Sequence, residues 1–342
     1  MRPYFLITID TEGDNQWGRS SVTTTENSRY LPRFQTLCEK YNFKPTWLTN
    51  WEMCHCPVYQ DFAKDCLRRS TAEIGMHLHA WHNPPHVPLT EDDYKHHPYL
   101  IEFPENILRD KVARMTDALE ETFNTKMVSH RAGRWGFNEV YARALADLGY
   151  LVDCSVTPHV SWSMYKGDPN GAGGPDFTDF PETPYFLDLD DIKRSGESPL
   201  LEVPVTITTP YYNPAIEFAR ASFSRMGKQG RRVVRRFWPQ YAQLVPNGIN
   251  RRLMIGLVER ARRQRRDYVE FMLHSSEFMP GCSPTFDTEV KIESLYADLE
   301  SLFAFASKHF EGGTMHDYYT RHVATTSRRV RFGGPVTVFA SQ

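Results

Sequence analysis

The chain has 342 residues, 40% of them hydrophobic and 24% charged, with a net charge of −2. This is an ordinary globular composition, and it excludes a collagen-like, coiled-coil or wholly disordered chain. The near-neutral total hides two unlike parts: residues 219–266 carry 14 Lys and Arg against one acid, Glu259, so these 48 residues hold +13 and the other 294 hold −15.

The first apolar run, from Tyr4, closes on Asp10 and predicts a buried strand. It is too short for the core of a secretory signal, and no stretch of about 18 apolar residues predicts a membrane-spanning helix. The six cysteines are scattered, which argues against a disulfide framework and for a reducing, cytoplasmic setting.

Apolar spacing predicts a helix over Ser28–Tyr41, a strand over Pro45–Thr49, a helix over Tyr59–Arg69 and a strand over Ala72–His79. A Pro- and His-rich loop runs from Trp81 to Pro104. A helix follows over Glu105–Phe123, then a strand starting at Met127–His130. Asn138 is placed to cap a helix over Glu139–Leu148, and Gly149 to stop it. Leu151–Val156 reads as a strand, 159–199 as a long loop and Leu200–Ile207 as a strand. Tyr268–His274 is the seventh strand, and a strongly amphipathic helix runs from Ile292 to Ala306. Alternating strands and helices argue for parallel strands with right-handed crossovers, closed as a barrel or left as an open sheet.

Strand after strand ends in chemistry: Asp10-Thr11-Glu12, His77-Leu78-His79, His130-Arg131, Asp153 and His274. In parallel α/β folds these ends gather at one face, where sites are built. Residues two apart on a strand share a side. His77 and His79 can therefore reach one metal ion, with Asp10 or Glu12 as the carboxylate ligand and the other carboxylate as a general base. Arg131 can orient and ionise that base. Gly133 and Gly136 flank Arg134-Trp135 and permit unusual backbone angles, which would turn Trp135 toward a pocket. Asp153 can hydrogen-bond His274 and make it a general acid. Nucleophilic alternatives lack an elbow or an activated thiol.

These segments, in this order, resemble the five motifs of the polysaccharide deacetylase superfamily (NodB homology, carbohydrate esterase family 4). Asp10-Thr11-Glu12 resembles the first motif and Glu73-Ile74-Gly75-Met76-His77 the second. The third is His130 to Gly136, the fourth Asp153-Cys154-Ser155 and the fifth Leu273-His274. Trp81 stands where the family's second motif has its second His, so the metal pair would be His77 with His79, or would use His82. Gly133-Arg134 replaces a single Pro. The pattern is similar to a branch found in O-antigen gene clusters and in the proteins called WalW. The resemblance implies one distorted (β/α)7 barrel over residues 1–342 and a divalent metal, zinc or else cobalt or nickel. It implies Asp10 as base, Glu12, His77 and His79 as ligands, and Arg131 orienting Asp10. His274 would be the acid, supported by Asp153, with Trp135, Trp81 and His82 toward substrate. The expected reaction is deacetylation of an N-acetylated sugar in a surface polysaccharide or its precursor. A metal-free amide hydrolase of the same fold and a catalytically silent glycan-binding or membrane-docking protein are the alternatives.

Residues 208–267 have no place in a minimal barrel and read as a basic helical insertion. Asn250 is placed to cap a helix with Leu253, Met254, Leu257, Val258 and Ala261 on one face. Arg231 to Trp238 alternates basic and apolar pairs. Such a segment suits the anionic inner face of a membrane, an anionic glycan, or pairing with the protein's own acids from Asp176 to Asp191. Nucleic acid is not expected.

Overall fold

The structure is a computed structural model. It describes residues 1–14, 16–18, 22–209 and 241–331, with a few isolated positions between 210 and 240. The Arg231–Trp238 segment lies outside the described residues.

Seven strands run parallel in one curled sheet. They are β1 (Tyr4–Thr11), β2 (Pro45–Thr49), β3 (Glu73–Leu78), β4 (Ser129–Ala132), β5 (Val152–Asp153), β8 (Leu201–Glu202) and β11 (Tyr268–His274), in the order β11-β1-β2-β3-β4-β5-β8. A hairpin of β6 (Tyr185–Asp188) and β7 (Asp191–Ser195) adds antiparallel strands at the β8 edge. The two-residue strands β9 (Ile207–Thr208) and β10 (Ala242–Gln243) pair with each other, and β12 (Glu311–Gly312) pairs with the start of β1. The result is a distorted barrel. Its seam, between β8 and β11, is crossed by single bonds: Glu270 N to Thr206 Oγ1 at 2.9 Å and the Tyr268 hydroxyl to Pro204 O at 2.6 Å.

The helices are α1 (Leu31–Lys40), α2 (Trp51–Cys54), α3 (Pro57–Arg69), α4 (Asp93–His96), α5 (Glu105–Phe123), α6 (Glu139–Asp147), α7 (Arg251–Arg263), α8 (Glu289–Ala306) and α9 (Met315–Arg331). Asn138 caps α6, its Oδ1 accepting from Tyr141 N at 3.0 Å, and Gly149 lies at φ +84° after the helix. Asn250, expected to cap α7, makes no capping bond. Its amide instead ties down the preceding turn, accepting from Asn247 N at 2.9 Å and donating to Val245 O at 2.7 Å.

Two corrections concern elements the apolar pattern hides. The loop expected over 159–199 contains the β6–β7 hairpin, whose turn is built from Asp188, Asp190 and Asp191. Asp188 Oδ1 accepts from Asp190 N at 2.9 Å, so side-chain chemistry shapes a turn that reads as a charge run. The strand expected over Leu200–Ile207 is two short pieces, β8 and β9.

Period-two alternation divides β1. Phe5, Ile7 and Ile9 face the helices and join the main core with Phe34, Phe43 and Phe303. Leu6 faces the barrel interior, in a second cluster with Leu48, Val152, Cys154, Leu201, Val203 and Tyr268. Helix α9 closes the bottom of that interior with Met315 and Tyr318, both buried. Met315→Ala should lower unfolding free energy by about 2–4 kcal/mol. Urea denaturation checks this, and a change below about 1 kcal/mol would show that α9 does not seal the interior.

Candidate active site

Above the apolar plug the barrel interior turns polar. Arg131 on β4 is fully buried and is the hub. Its Nη1 donates to Asp10 Oδ1 at 2.7 Å and its Nη2 to Thr8 Oγ1 at 2.8 Å. Nη2 also pairs with Glu270 of β11, and Nε donates to Cys154 O at 3.1 Å. A buried guanidinium is tolerated only when its donors are met, and here four partners take four of its five N–H groups. Burial alone would raise the Asp10 pKa. The Arg131 charge, then His77 and His274, outweigh it and hold the carboxyl below its ordinary range. Asp10 is thus kept ionised.

Glu12, His77 and His79 converge beside it. One donor atom from each lies within 4.8 Å of the others. His79 Nε2 is 2.8 Å and His77 Nε2 3.7 Å from Glu12 Oε2, and the two imidazole nitrogens are 3.1 Å apart. His77 Nδ1 sits 3.0 Å from Arg131 O. A proton on Nδ1 donates there, which would leave Nε2 to serve a metal ion once it gives up the hydrogen it shares with Glu12, the orientation that outer-shell carbonyls impose on ligating imidazoles. Burial pushes Glu12 up, but hydrogen bonds from His77 and His79 bring its pKa well below the ordinary range. Burial lowers His79. Burial also opposes charge on His77, but Asp10 and Glu12 outweigh it and raise its pKa, so a divalent cation, which needs neutral imidazoles beside an ionised carboxylate, would displace a proton there; the donor types fit one. Gly133 makes room for this arrangement: a Cβ there would fall 2.7 Å from His79 Nδ1.

His274 ends β11, opposite Asp10 in the ladder, with its Nε2 3.9 Å from Asp10 Oδ2. Its acidic support is Glu277, not Asp153. Glu277 Oε2 accepts from His274 N at 2.9 Å and lies 3.3 Å from Nδ1. Burial lowers the His274 pKa, but Glu277, Glu12 and Asp10 outweigh it and bring it to about 9. Asp153 points elsewhere because Val152 and Cys154 take the inward positions of β5. Its carboxylate lies 2.6 Å from His130 Nδ1 and accepts from Ser155 N at 2.9 Å. His130 Nε2 in turn meets the Tyr141 hydroxyl of α6 at 2.8 Å.

The site opens into a cleft of about 300 Å³. Trp81 and Trp135 line it, as do Trp17, His96 and His97. Trp135 stacks near Trp162, ring centres 6.3 Å apart and 17° from parallel, and Trp81 stacks on His97 at 4.2 Å. Trp135 turns toward the cleft by a route the glycines did not foretell. Arg134 and Trp135 themselves hold φ of +55° and +62°, while the glycine that follows, Gly136, has φ −74°. Two consecutive non-glycine residues in this region mark local strain. His82 is not part of the cleft lining. It is held by Glu52 of α2 at 2.7 Å and by Gln16 at 3.2 Å.

Glu277, Glu270 and Trp17 carried no sequence signal that would place them here. Glu277 lies three residues past a strand end and Glu270 inside an apolar strand. Trp17 sits in a 3-10 turn, with its Nε1 donating to Ser276 Oγ at 3.1 Å.

No family model matches the chain, and no curated protein matches it. Solved structures do. One is a protein from Mycobacterium smegmatis provisionally named a polysaccharide deacetylase, at 16% identity and TM-score 0.50, covering 100% of this chain and 98% of that one. Another is a protein from Parabacteroides distasonis provisionally named a glycoside hydrolase/deacetylase, at 12% identity and TM-score 0.57, covering 93% and 70%. The chain shares their fold.

His274 gives a pH test. Its pKa is raised on folding, so its stabilising contribution is full below about pH 6.5 and is lost as pH rises through about 9. In chelator-treated protein the unfolding free energy should fall by up to about 3 kcal/mol across that window. His274→Gln should flatten the slope, and an unchanged slope in that variant would sink the assignment. Separately, Gly133→Ala should displace His79 and weaken zinc binding at least about tenfold by calorimetry; undiminished binding would count against His79 as a ligand.

Proposed function

We propose that the chain is a metal-dependent deacetylase acting on an N-acetylated sugar of a surface polysaccharide or its precursor. The observation that carries this reading is the convergence of three metal donors with a separately ionised carboxylate and an imidazole anchored by its own acid. Two imidazoles and one carboxylate suit zinc, with cobalt and nickel as alternatives.

A divalent cation held by Glu12, His77 and His79 would supply Lewis acidity toward the acyl carbonyl. The residues do the rest. Asp10, fixed through Oδ1 by Arg131, takes a proton from the attacking water through Oδ2. His274, tethered through Nδ1 to Glu277, presents Nε2 to the cleft and gives a proton to the departing amine. The products are acetate and the free amino sugar. Trp135 and Trp81 offer flat apolar faces to a sugar ring, and the cleft volume suits one residue of a glycan.

The test is acetate release from a panel of N-acetylated oligosaccharides. Chelation should abolish turnover and added zinc should restore it. Asp10→Asn and His274→Ala should each lower kcat at least about 100-fold while the protein still binds zinc. Turnover that survives chelation would favour a metal-free hydrolase. No turnover on any substrate, with zinc bound, would favour a silent glycan-binding protein.

A further inference from the structure

At the opposite end of the barrel lies a larger hollow, about 800 Å³. It opens beside the N-terminal ends of β1 and β11 and the C-terminal ends of α7 and α8, with α9 forming another wall. Six cations line it: Arg2, Arg262, Arg265, Arg266, Lys308 and Arg321. Among the described residues, Asp267 is the only carboxylate in the lining.

Some of this charge is matched from outside the hollow. Arg262 pairs with Glu259 at 2.6 Å, Arg266 with Glu182, and Arg321 with Glu311. Glu259 also serves Arg263 at 2.8 Å, so that group keeps a positive surplus. Arg2 donates to the carbonyls of Ser307 and Phe310, the latter at 2.7 Å, which satisfies its hydrogens but leaves its charge. Arg265 and Lys308 are exposed, and neither forms an ion pair with a described carboxylate. The two helix C-termini favour cations, each worth about half a negative charge. They explain residues at the ends of α7 and α8. They also account for Arg2, which meets carbonyls at the end of α8, but not for why Arg321, from α9, joins them in one concave space.

We propose that this groove binds a phosphate-bearing anion. A concave surface where two exposed cations, Arg265 and Lys308, stand beside four partnered arginines keeps a positive surplus and focuses positive potential, and an anion with several oxygens can take donors from more than one of them at once. Arginine forks favour phosphate in this role. The groove lies at the strand N-termini, away from the candidate active site, so the phosphate is an anchoring group and not the reacting one. It comes from a lipid headgroup or from a soluble phosphate compound. This assigns a place to the end of the basic segment, Arg262 to Arg266, and does not depend on the deacetylase reading.

The experiment titrates the full chain with inorganic pyrophosphate by calorimetry at constant ionic strength, with chloride as the control. A parallel arm measures co-sedimentation with phosphatidylglycerol and with phosphatidylcholine vesicles. The double variant Arg265→Glu, Lys308→Glu alters two exposed residues, and its thermal midpoint reports that it folds. Saturable pyrophosphate binding that the variant weakens about tenfold or more supports the site. Sedimentation with phosphatidylglycerol alone, lost in the variant, identifies a lipid headgroup as the source. Pyrophosphate binding without sedimentation identifies a soluble one. No saturable binding in either arm beyond the chloride control, or equal binding by the variant, overturns the proposal.

Discussion

The buried guanidinium of Arg131 is the constraint on which the rest depends. A charge with no exposure to solvent must be surrounded by acceptors, and those acceptors come from β1, β5 and β11. Three strands are thereby held in one register around one side chain. Taking away a partner would leave an uncompensated charge in a low-dielectric interior, which is far worse than losing a surface pair. The same residue connects the two halves of the site. Its side chain ionises Asp10, and its backbone carbonyl orients His77. Base and ligand are therefore set by one amino acid.

Glu270 faces Arg131 inside the barrel, whereas Glu202 lies on the outer face of its strand beside Asp153. Both are buried, and burial raises both carboxyls; Arg131 opposes the rise at Glu270, while Asp153 adds to it at Glu202. Glu270 thus sits beside Arg131 with its carboxyl raised, while Asp10 and Glu12 are held below the ordinary carboxylate range. The apolar layer below, capped by Met315 and Tyr318, keeps water from reaching this layer from the bottom.

Much of this was legible from residue order. The strands ending in Asp10, His77 and His274 follow from apolar runs closed by polar residues, and the ladder brings Asp10 level with His274. What failed was the pairing of side chains across neighbouring strands. Sequence order pairs Asp153, within the fifth strand, with His274 at the end of the seventh. Strand parity sends Asp153 to the other face, where His130 waits, and a glutamate one turn past β11 supports His274 instead. His82, which the resemblance places toward substrate or metal, is captured by Glu52. The backbone turn at Trp135 was credited to glycines, yet the unusual angles fall on Arg134 and Trp135 themselves. The C-terminal helix α9 is polar on most of its surface, and its few inward residues gave too thin a stripe to reveal that it plugs the barrel.

Asp10 and Glu12 stand two positions apart on a single chain segment, with Thr11 between them hydrogen-bonded back to Ile9 O at 2.9 Å. The spacing between the proton-accepting group and the carboxylate donor is thus a covalent ruler, independent of how the surrounding helices settle. Ser275, next to His274, binds Glu12 directly, its hydroxyl accepting from Glu12 N at 2.9 Å and donating to Glu12 O at 2.8 Å, while His274 itself has no covalent link to either carboxylate. It reaches the pair across the ladder from a strand whose far side is held at a seam of single bonds. The seven-residue register of β11 on β1 therefore sets where the imidazole stands, so a slip of β11 by one ladder position would misplace the acid while leaving the ruler intact.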